Sequence, residues 1–392
     1  MREIQQLNIE KDYEAIFALS QFAFQYKLSE TEFEEKKVEA ERHIIWGWME
    51  GEQLAAKTHL IPLSCYINGK PFEMGGISAV ATWPEYRRQG MVKHLLYHAL
   101  QYMKRHGQTI SFLHPFSVPF YRKYGWELTF TNWELSIPME QLKQSEPAVG
   151  NVRRIEKDIP LLQSLYTRFA KNYTGMLVRD AQWWKQRVLN EKWQIAVNYD
   201  YEGNADGYIL YEVKNDVLTV KEMVYNTVNG WKLLLQFIAN HDSMAKKVEM
   251  TVPENSNLTL LLDEPRFEQK IAPYFMARVV DVLTFLEQYP FQVCKEDVVI
   301  LLHVEDHFLP ENSGMYQLSQ LHGETTVTFV ENHSHIDEVG IHCTIQQFTS
   351  MFLGYKRPME LYQMNHIQGR QQDIALLEKI IPKQQTYFPD FY

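Results

Sequence analysis

Alternating and three-to-four spacings of apolar side chains take turns along this chain, and their switches mark its elements. A short strand, Arg2 to Leu7, precedes helical spacing through Tyr13, Ile16, Phe17, Leu19, Phe22 and Phe24, and then a charged, exposed helix from Ser29 to Arg42. His43 to Met49, Leu54 to Ile67 and Lys70 to Met74 read as strands, the last two joined by the tight turn Asn68-Gly69. The apolar run Ile77 to Ala81 reads as a buried strand. Trp83-Pro84-Glu85 turns the chain, and Val92, Leu95, Leu96, Ala99, Leu100 and Met103 then recur as on a helix closing at His106-Gly107. Ile110 to Leu113 and Leu128 to Ile137 are further strands, and Pro138 to Val152 reads as a linker.

A second pass through the same order follows. Ile155 to Tyr173 has helical spacing, Ile195 to Asn198 and Gly207 to Val213 form a hairpin around Glu202-Gly203-Asn204, Leu218 to Val224 is a strand, Gly230 to Ile238 a helix and Lys247 to Val252 a strand. From Phe291 the pattern changes. Strands are expected at Val298 to Val304, Gly314 to Leu318 and Glu324 to Val330, then a helix capped by Thr344 and ended by Gly354, and another from Ile374 to Ile381 stopped by Pro382.

A chain of 392 residues is long for one domain, and its 45% apolar and 22% charged content suits several packed cores. A formal charge of −10 speaks against nucleic acid as a partner and suits a cationic or amine substrate. Cys65, Cys294 and Cys343 are few, scattered and odd in number, which fits a reducing, cytoplasmic setting. Neither a signal peptide nor an apolar run of about 18 residues is present, so no membrane association is expected. His303, His307, His333, His335 and His342 lack the spacing of a zinc site, and no metal is expected.

Candidate chemistry concentrates at Arg87-Arg88-Gln89-Gly90, between the Ile77 strand and the Met91 helix. A helix start presents free backbone N–H groups, glycine admits a bulky anion, and two guanidiniums add charge, so a pyrophosphate would fit. Alone, the pattern reads more readily as solvated arginines and a turn. The second signal is Phe120-Tyr121-Arg122-Lys123-Tyr124-Gly125-Trp126, beyond the next strand.

At these residues the chain resembles the GNAT acetyltransferases, whose acetyl-CoA turn has the form Q/R-x-x-G-x-G/A and whose later signature is F-Y-x-K-x-G-F/W/Y. Here the turn runs from Arg87 to Val92, with Val92 in place of a small residue, and the later signature is matched in full. Length and C-terminus narrow the resemblance to the Eis (enhanced intracellular survival) branch. The implied fold is α/β (α+β): a catalytic GNAT domain over residues 1–140, a degenerate GNAT domain over 150–290, and a sterol-carrier-protein-like domain over 291–392. The second copy has Asn226-Thr227-Val228-Asn229-Gly230 where the first has its arginines, so it is expected to wall the acceptor cavity without binding cofactor.

The resemblance also implies roles. Val80, Ala81 and Thr82 would hold the pantetheine arm where the strands splay, Arg87, Arg88, Gln89, Gly90, Met91, Val92 and Lys93 would surround the pyrophosphate, and Phe116 and Ser117 would close the channel. Phe22, Phe24 and Tyr26, with Glu30, Glu32 and Glu34, would flank the acceptor, though core packing and solvation explain each as well. Tyr121 matches the general acid. A phenol pKa of ~10 against ~8.5 for a thiol makes full proton transfer uphill by about 2 kcal/mol, so Tyr121 acts mainly as a hydrogen-bond donor; Tyr124 is its rival. Eis enzymes use the terminal carboxylate as base, here that of Tyr392 in the aromatic tail Tyr387-Phe388-Pro389-Asp390-Phe391-Tyr392.

The expected function is acetyl transfer from acetyl-CoA to polycationic amines such as aminoglycosides, without a metal, in a trimer or hexamer. Acetylation of protein lysines or polyamines is the alternative within catalysis. A non-catalytic protein that holds a ligand in its carrier-like domain is the alternative outside it.

Overall fold

The computed structural model describes residues 2–142, 148–294, 296–330 and 340–392. The chain opens with β1 (Arg2–Leu7), α1 (Ile9–Phe24), α2 (Glu30–Ala40), β2 (Ile44–Glu50), β3 (Gln53–Ile67) and β4 (Lys70–Thr82). Next come α3 (Met91–Arg105), β5 (Ile110–Leu113), α4 (Val118–Arg122), β6 (Glu127–Leu128) and β7 (Thr131–Pro138). The buried stripe of α3 is Met91, Leu95, Leu96, Ala99, Leu100 and Met103, the residues its spacing predicts. Val92, also in that spacing, is only partly buried. The strands expected at Lys70 to Met74 and Ile77 to Ala81 are one continuous element, because Gly75 and Gly76 stay extended and paired with Pro62 and Ile61.

The middle of the chain holds β8 (Asn151–Arg154), α5 (Ile159–Ala170), β9 (Tyr173–Thr174), α6 (Ala181–Trp183, continued by a π-helical turn Trp184–Val188), β10 (Gln194–Tyr199), β11 (Ala205–Lys214), β12 (Val217–Tyr225) and α7 (Val228–Ala239). It ends with β13 (Lys247–Val252), β14 (Glu268–Pro273), β15 (Met276–Val279) and α8 (Val282–Gln288). The last part is β16 (Val298–Glu305), β17 (Gly314–Leu321), β18 (Glu324–Val330), β19 (Ile341–Thr344), α9 (Ile345–Phe352), α10 (Pro358–Gln363), α11 (Gln371–Ile380) and β20 (Gln385–Thr386). Thr344 caps α9 in a full capping box.

Two seven-stranded sheets form the first two layers, in the orders β1-β2-β3-β4-β5-β15-β6 and β14-β7-β13-β12-β11-β10-β8. They trade strands. β7, read from the sequence as part of the first domain, pairs with β13 and β14 of the second sheet, while β15 inserts between β5 and β6 of the first. Alternation in a strand fixes which face is buried but not which neighbour it pairs with, so this exchange has no local signature. The stretch expected as a linker is structured at both ends. Met139 and Leu142 are buried in the second core and Asn151–Arg154 is its edge strand, while 143–147 lie outside the described residues.

The third domain is a four-stranded sheet, β18-β17-β16-β19, covered by α9 and α11. Its Asp306 accepts from Arg278 of β15, both buried, so the exchanged strand also ties this domain to the first sheet. His303 and His342 pack ring to ring at 4.9 Å, His307 is exposed beside Glu305, and His333 and His335 lie outside the described residues. Among the described residues no three His, Cys, Asp or Glu side chains converge as metal ligands. No helix among them is long and apolar enough to cross a membrane.

Candidate active site

One extra residue interrupts β4 where the cofactor contacts are expected. Ser78 pairs with His59 and Ala81 with Lys57, so Ala79 and Val80 together face Thr58. Ala79 adopts a left-handed φ of +47°, a conformation that costs a residue with a Cβ roughly 1–2 kcal/mol. β4 and β5 pair from Met74 with Ile110 to Ile77 with Leu113, and their ladder ends there. Beyond Ile77 the bulge turns β4 away from β5, and a wedge opens between them.

A cavity of about 590 Å³ lies on one side of the wedge. Val80, Ala81, Thr82, Arg87, Arg88, Gln89, Gly90, Met91, Val92, Lys93 and Phe116, expected at the cofactor, all line it, together with Phe24, Tyr86, Phe120 and Tyr124. Ser117 is in neither wall of the wedge and serves as the N-cap position of α4. The turn itself is wound left-handed at Arg88 (φ +65°) and Gly90 (φ +81°). Gly90 stands at the N-cap of α3 without a side-chain cap, so the first amides of the helix stay available to an anion. Arg87 Nε donates to the carbonyl of Thr82 at 3.4 Å, bracing the turn against the strand end.

The corresponding helix of the second layer starts differently. The Thr227 hydroxyl accepts from the amide of Gly230 at 3.0 Å and itself donates to the carboxylate of Asp206. An anion arriving at α7 would meet a filled cap and a negative charge.

On the other side of the wedge is a second cavity of about 550 Å³, which shares Phe24, Val80 and Phe116 with the first. Tyr121 lines it at this junction, 3% exposed, its ring edge-on to Phe116 at 5.5 Å and Phe120 at 5.1 Å. Burial raises the pKa of its phenol, so the group stays protonated and presents a donor. Tyr124 lines the other cavity and packs on Phe308 of the third domain at 4.9 Å.

Tyr392 and Phe391 also line the second cavity, and the tail that delivers them is held firmly. β20 pairs parallel with β9, and Tyr274 Oη donates to the carbonyl of Asp390 at 2.9 Å. The Asp390 carboxylate accepts from Trp183 Nε1 at 2.8 Å and from Arg179 Nε at 3.2 Å. Arg179 also donates to Glu222 and lies over Tyr166 at 4.0 Å. Three buried charges joined this way compensate one another, whereas any one alone would be costly. The ring of Tyr392 packs against Phe275 at 5.3 Å and over Gly76.

Of the expected acceptor residues, Phe24 and Tyr26 reach this cavity. Phe22 instead packs at a tilt against Trp83, 4.8 Å between ring centres. Glu30, Glu32 and Glu34 are exposed on α2, where Glu32 completes the capping box with Ser29, so helical phase turns them from the wall. The acid that does line it is Glu39, bound by Lys36 at 2.8 Å and by Arg187. His43, His59 and His114 also line the wall, and sequence reasoning passed over these histidines, Glu39, Lys36 and Arg187 alike.

Comparison with known proteins identifies the domains. Residues 3–129 and 175–279 each match a model described as an acetyltransferase (GNAT) domain, and 282–389 match a sterol carrier protein domain. The chain therefore carries two GNAT domains followed by a sterol carrier protein domain. Two proteins of Streptomyces griseus described as uncharacterized N-acetyltransferases are 24% identical over 251 residues, 56% of this chain and 60% of their own length. An Enterococcus faecalis protein described as a probable N-acyltransferase superposes with a TM-score of 0.92 at 26% identity, over 100% of both chains. Eis1 from Mycobacterium abscessus has the same whole-chain fold, with a TM-score of 0.82 at 17% identity over 100% of both. In domain order and fold the chain is similar to that protein.

Proposed function

We propose that this protein transfers the acetyl group of acetyl-CoA to an amine by direct attack in a ternary complex. The observation that carries the reading is the pair of cavities meeting at Phe24, Val80 and Phe116, one floored by an open helix start with two arginines, the other holding Tyr121 and the tail. Arg87, Arg88 and the first amides of α3 hold the diphosphate, and the strand from Val80 to Thr82 holds the pantetheine arm and aims the thioester carbonyl through the junction. Tyr121 donates a hydrogen bond to the departing thiolate. The carboxylate of Tyr392 meets the ammonium of the acceptor and draws on its proton. Asp206 at the second helix supports a degenerate role for that copy.

For the acceptor, the Eis resemblance points to polycationic amines, aminoglycosides among them. The wall itself carries Lys36 and Arg187 beside Glu39, which supports entry of one slender amine arm while further charges stay outside. A polyamine or a protein lysine offers the same arm. A trimer or hexamer is proposed on the same resemblance, to be read by light scattering. The test of function is a thermal shift with acetyl-CoA, followed by free-thiol release across a panel of aminoglycosides, polyamines and a lysine peptide. Stabilisation and amine-dependent thiol release are expected. Absence of both would leave the chain a non-catalytic binding protein.

A further inference from the structure

An amine attacks only after losing its ammonium proton, and a carboxylate with an ordinary pKa of ~3.5 does not hold that proton at neutral pH. Behind the acceptor cavity lies a chain of groups able to receive it. Lys57 and His59, two apart on β3, point the same way, and Lys57 is fully buried. Lys57 Nζ lies 3.0 Å from His59 Nε2, and His59 Nδ1 lies 3.1 Å from His43 Nδ1. His43 and His59 line the cavity, while Lys57 reaches past them to the carbonyl of Ala79 at 3.2 Å. We propose that His43, His59 and Lys57 form a proton-transfer chain that draws the acceptor's ammonium proton out of the cavity and stores it on Lys57. The proposal rests on the acetyl-transfer reading above.

The tautomers permit two arrangements, which differ by one proton. With Lys57 neutral, His59 Nε2–H donates to Lys57, His43 Nδ1–H donates to His59, and His43 Nε2 offers a lone pair to the cavity. The ammonium gives its proton to His43 Nε2, the Nδ1 proton of His43 passes to His59 Nδ1, and the Nε2 proton of His59 passes to Lys57 Nζ. One N–H bond breaks and one forms at each hop. The products are a free amine and a lysine ammonium, with the total charge unchanged. The amine lone pair then attacks the thioester carbon, the C–S bond breaks, and the amine's second proton goes to the thiolate. The stored proton returns to the cavity by the reverse shifts and leaves to solvent.

The surroundings suit each part. Burial brings the Lys57 ammonium down to about 7, with no carboxylate among the described residues opposing it. Burial, then the charges of Arg42, Lys57 and Lys36, bring His43 down to about 3, and burial with Lys57 and His43 also keeps His59 low. The imidazoles therefore pass the proton without keeping it. The other titratable groups in the cavity wall are Glu39, held by Lys36 and Arg187, then Tyr26, His114, Tyr121 and Tyr392.

Two measurements test this on the full-length chain. The first needs no turnover: a pH titration from 5 to 9 of protein labelled with 15N only at histidine. His59 and His43 are expected to exchange tautomer, both remaining neutral, with a midpoint near 7. Lys57→Met should abolish that step. The second is kcat/KM against pH with an amine that gives thiol release. The wild type should show a limb near 7; Lys57→Met and the less disruptive His43→Gln should lose it and lower kcat by about tenfold or more, with the acetyl-CoA KM within twofold. Imidazole added to His43→Ala should restore part of the rate. Static tautomers, a limb retained in both variants, or a loss confined to acetyl-CoA affinity would overturn the chain as a proton path. Were no amine to turn over, the acetyl-transfer reading would fall and the proposal with it; turnover with an unmoved limb overturns the proposal alone.

Discussion

Gly76→Ala isolates the seat of the chain's last residue. A Cβ added at Gly76 would stand 2.8 Å from Cε2 and Cζ of Tyr392 and 3.1 Å from its hydroxyl oxygen. Carbon atoms rest at about 3.5–4.0 Å, so the ring must retreat by about 0.7–1.2 Å. It has little room, because Phe275, Phe388 and Trp183 pack around it at 5.3, 6.1 and 6.2 Å between ring centres. Overpacking of this kind costs about 1–3 kcal/mol of stability. A shift of about 1 Å in a reacting group costs up to ~100-fold in rate. The expected result is a kcat lowered by about 10- to 100-fold with acetyl-CoA affinity within twofold, since the donor wall begins four residues on at Val80. Stopped thiol-release assays give kcat, and chemical denaturation gives stability. In a Tyr392→Ala background the clash is gone, and Gly76→Ala should be nearly neutral, a coupling of about 1–3 kcal/mol. Equal cost in both backgrounds, or full activity of the single variant, would refute the placement of Tyr392 at the reaction centre.

Tyr121→Phe should lower kcat by about 100-fold while leaving the dissociation constant of acetyl-CoA little changed, measured by calorimetry beside steady-state kinetics. Arg88→Ala should weaken acetyl-CoA binding by about 1.5 kcal/mol, roughly tenfold, and the loss should shrink at high salt because the site is open to solvent. Lys57→Met should raise the melting temperature. The folded state gives up the Lys57 proton near pH 7 while an unfolded lysine keeps it to about 10.4, so the wild type loses stability as pH falls from about 10 to 7 and is level below. The margin of the variant should follow that window, and a margin independent of pH would refute the assignment.

What the sequence made legible were features with a local signature. The α3 stripe, the Asn68-Gly69 hairpin, the capping box at Thr344 and the arginine-glycine turn each rest on neighbours within a few residues. The wall of the second cavity is assembled from α1, α2, β3, β4, the segment after β5, α4, the turn that continues α6 and the tail, and nothing local announces that these meet. Lys57 and His59 did carry a signal: two titratable residues on one face of a strand that from Leu54 to Leu63 is otherwise apolar but for Thr58 on the opposite face. Arg179 and Asp390, separated by most of the later chain, gave none. Glu30, Glu32 and Glu34 were chosen for charge, whereas the phase of α2 brings Glu39 inward instead.

The reciprocal exchange of β7 and β15 means that neither half is a finished object by itself. A ribosome releasing the first sheet exposes β5 as a raw margin until β15 emerges, and such distant pairing favours slow, late consolidation. Cleaving the chain between the halves would thus leave two open margins rather than two enzymes.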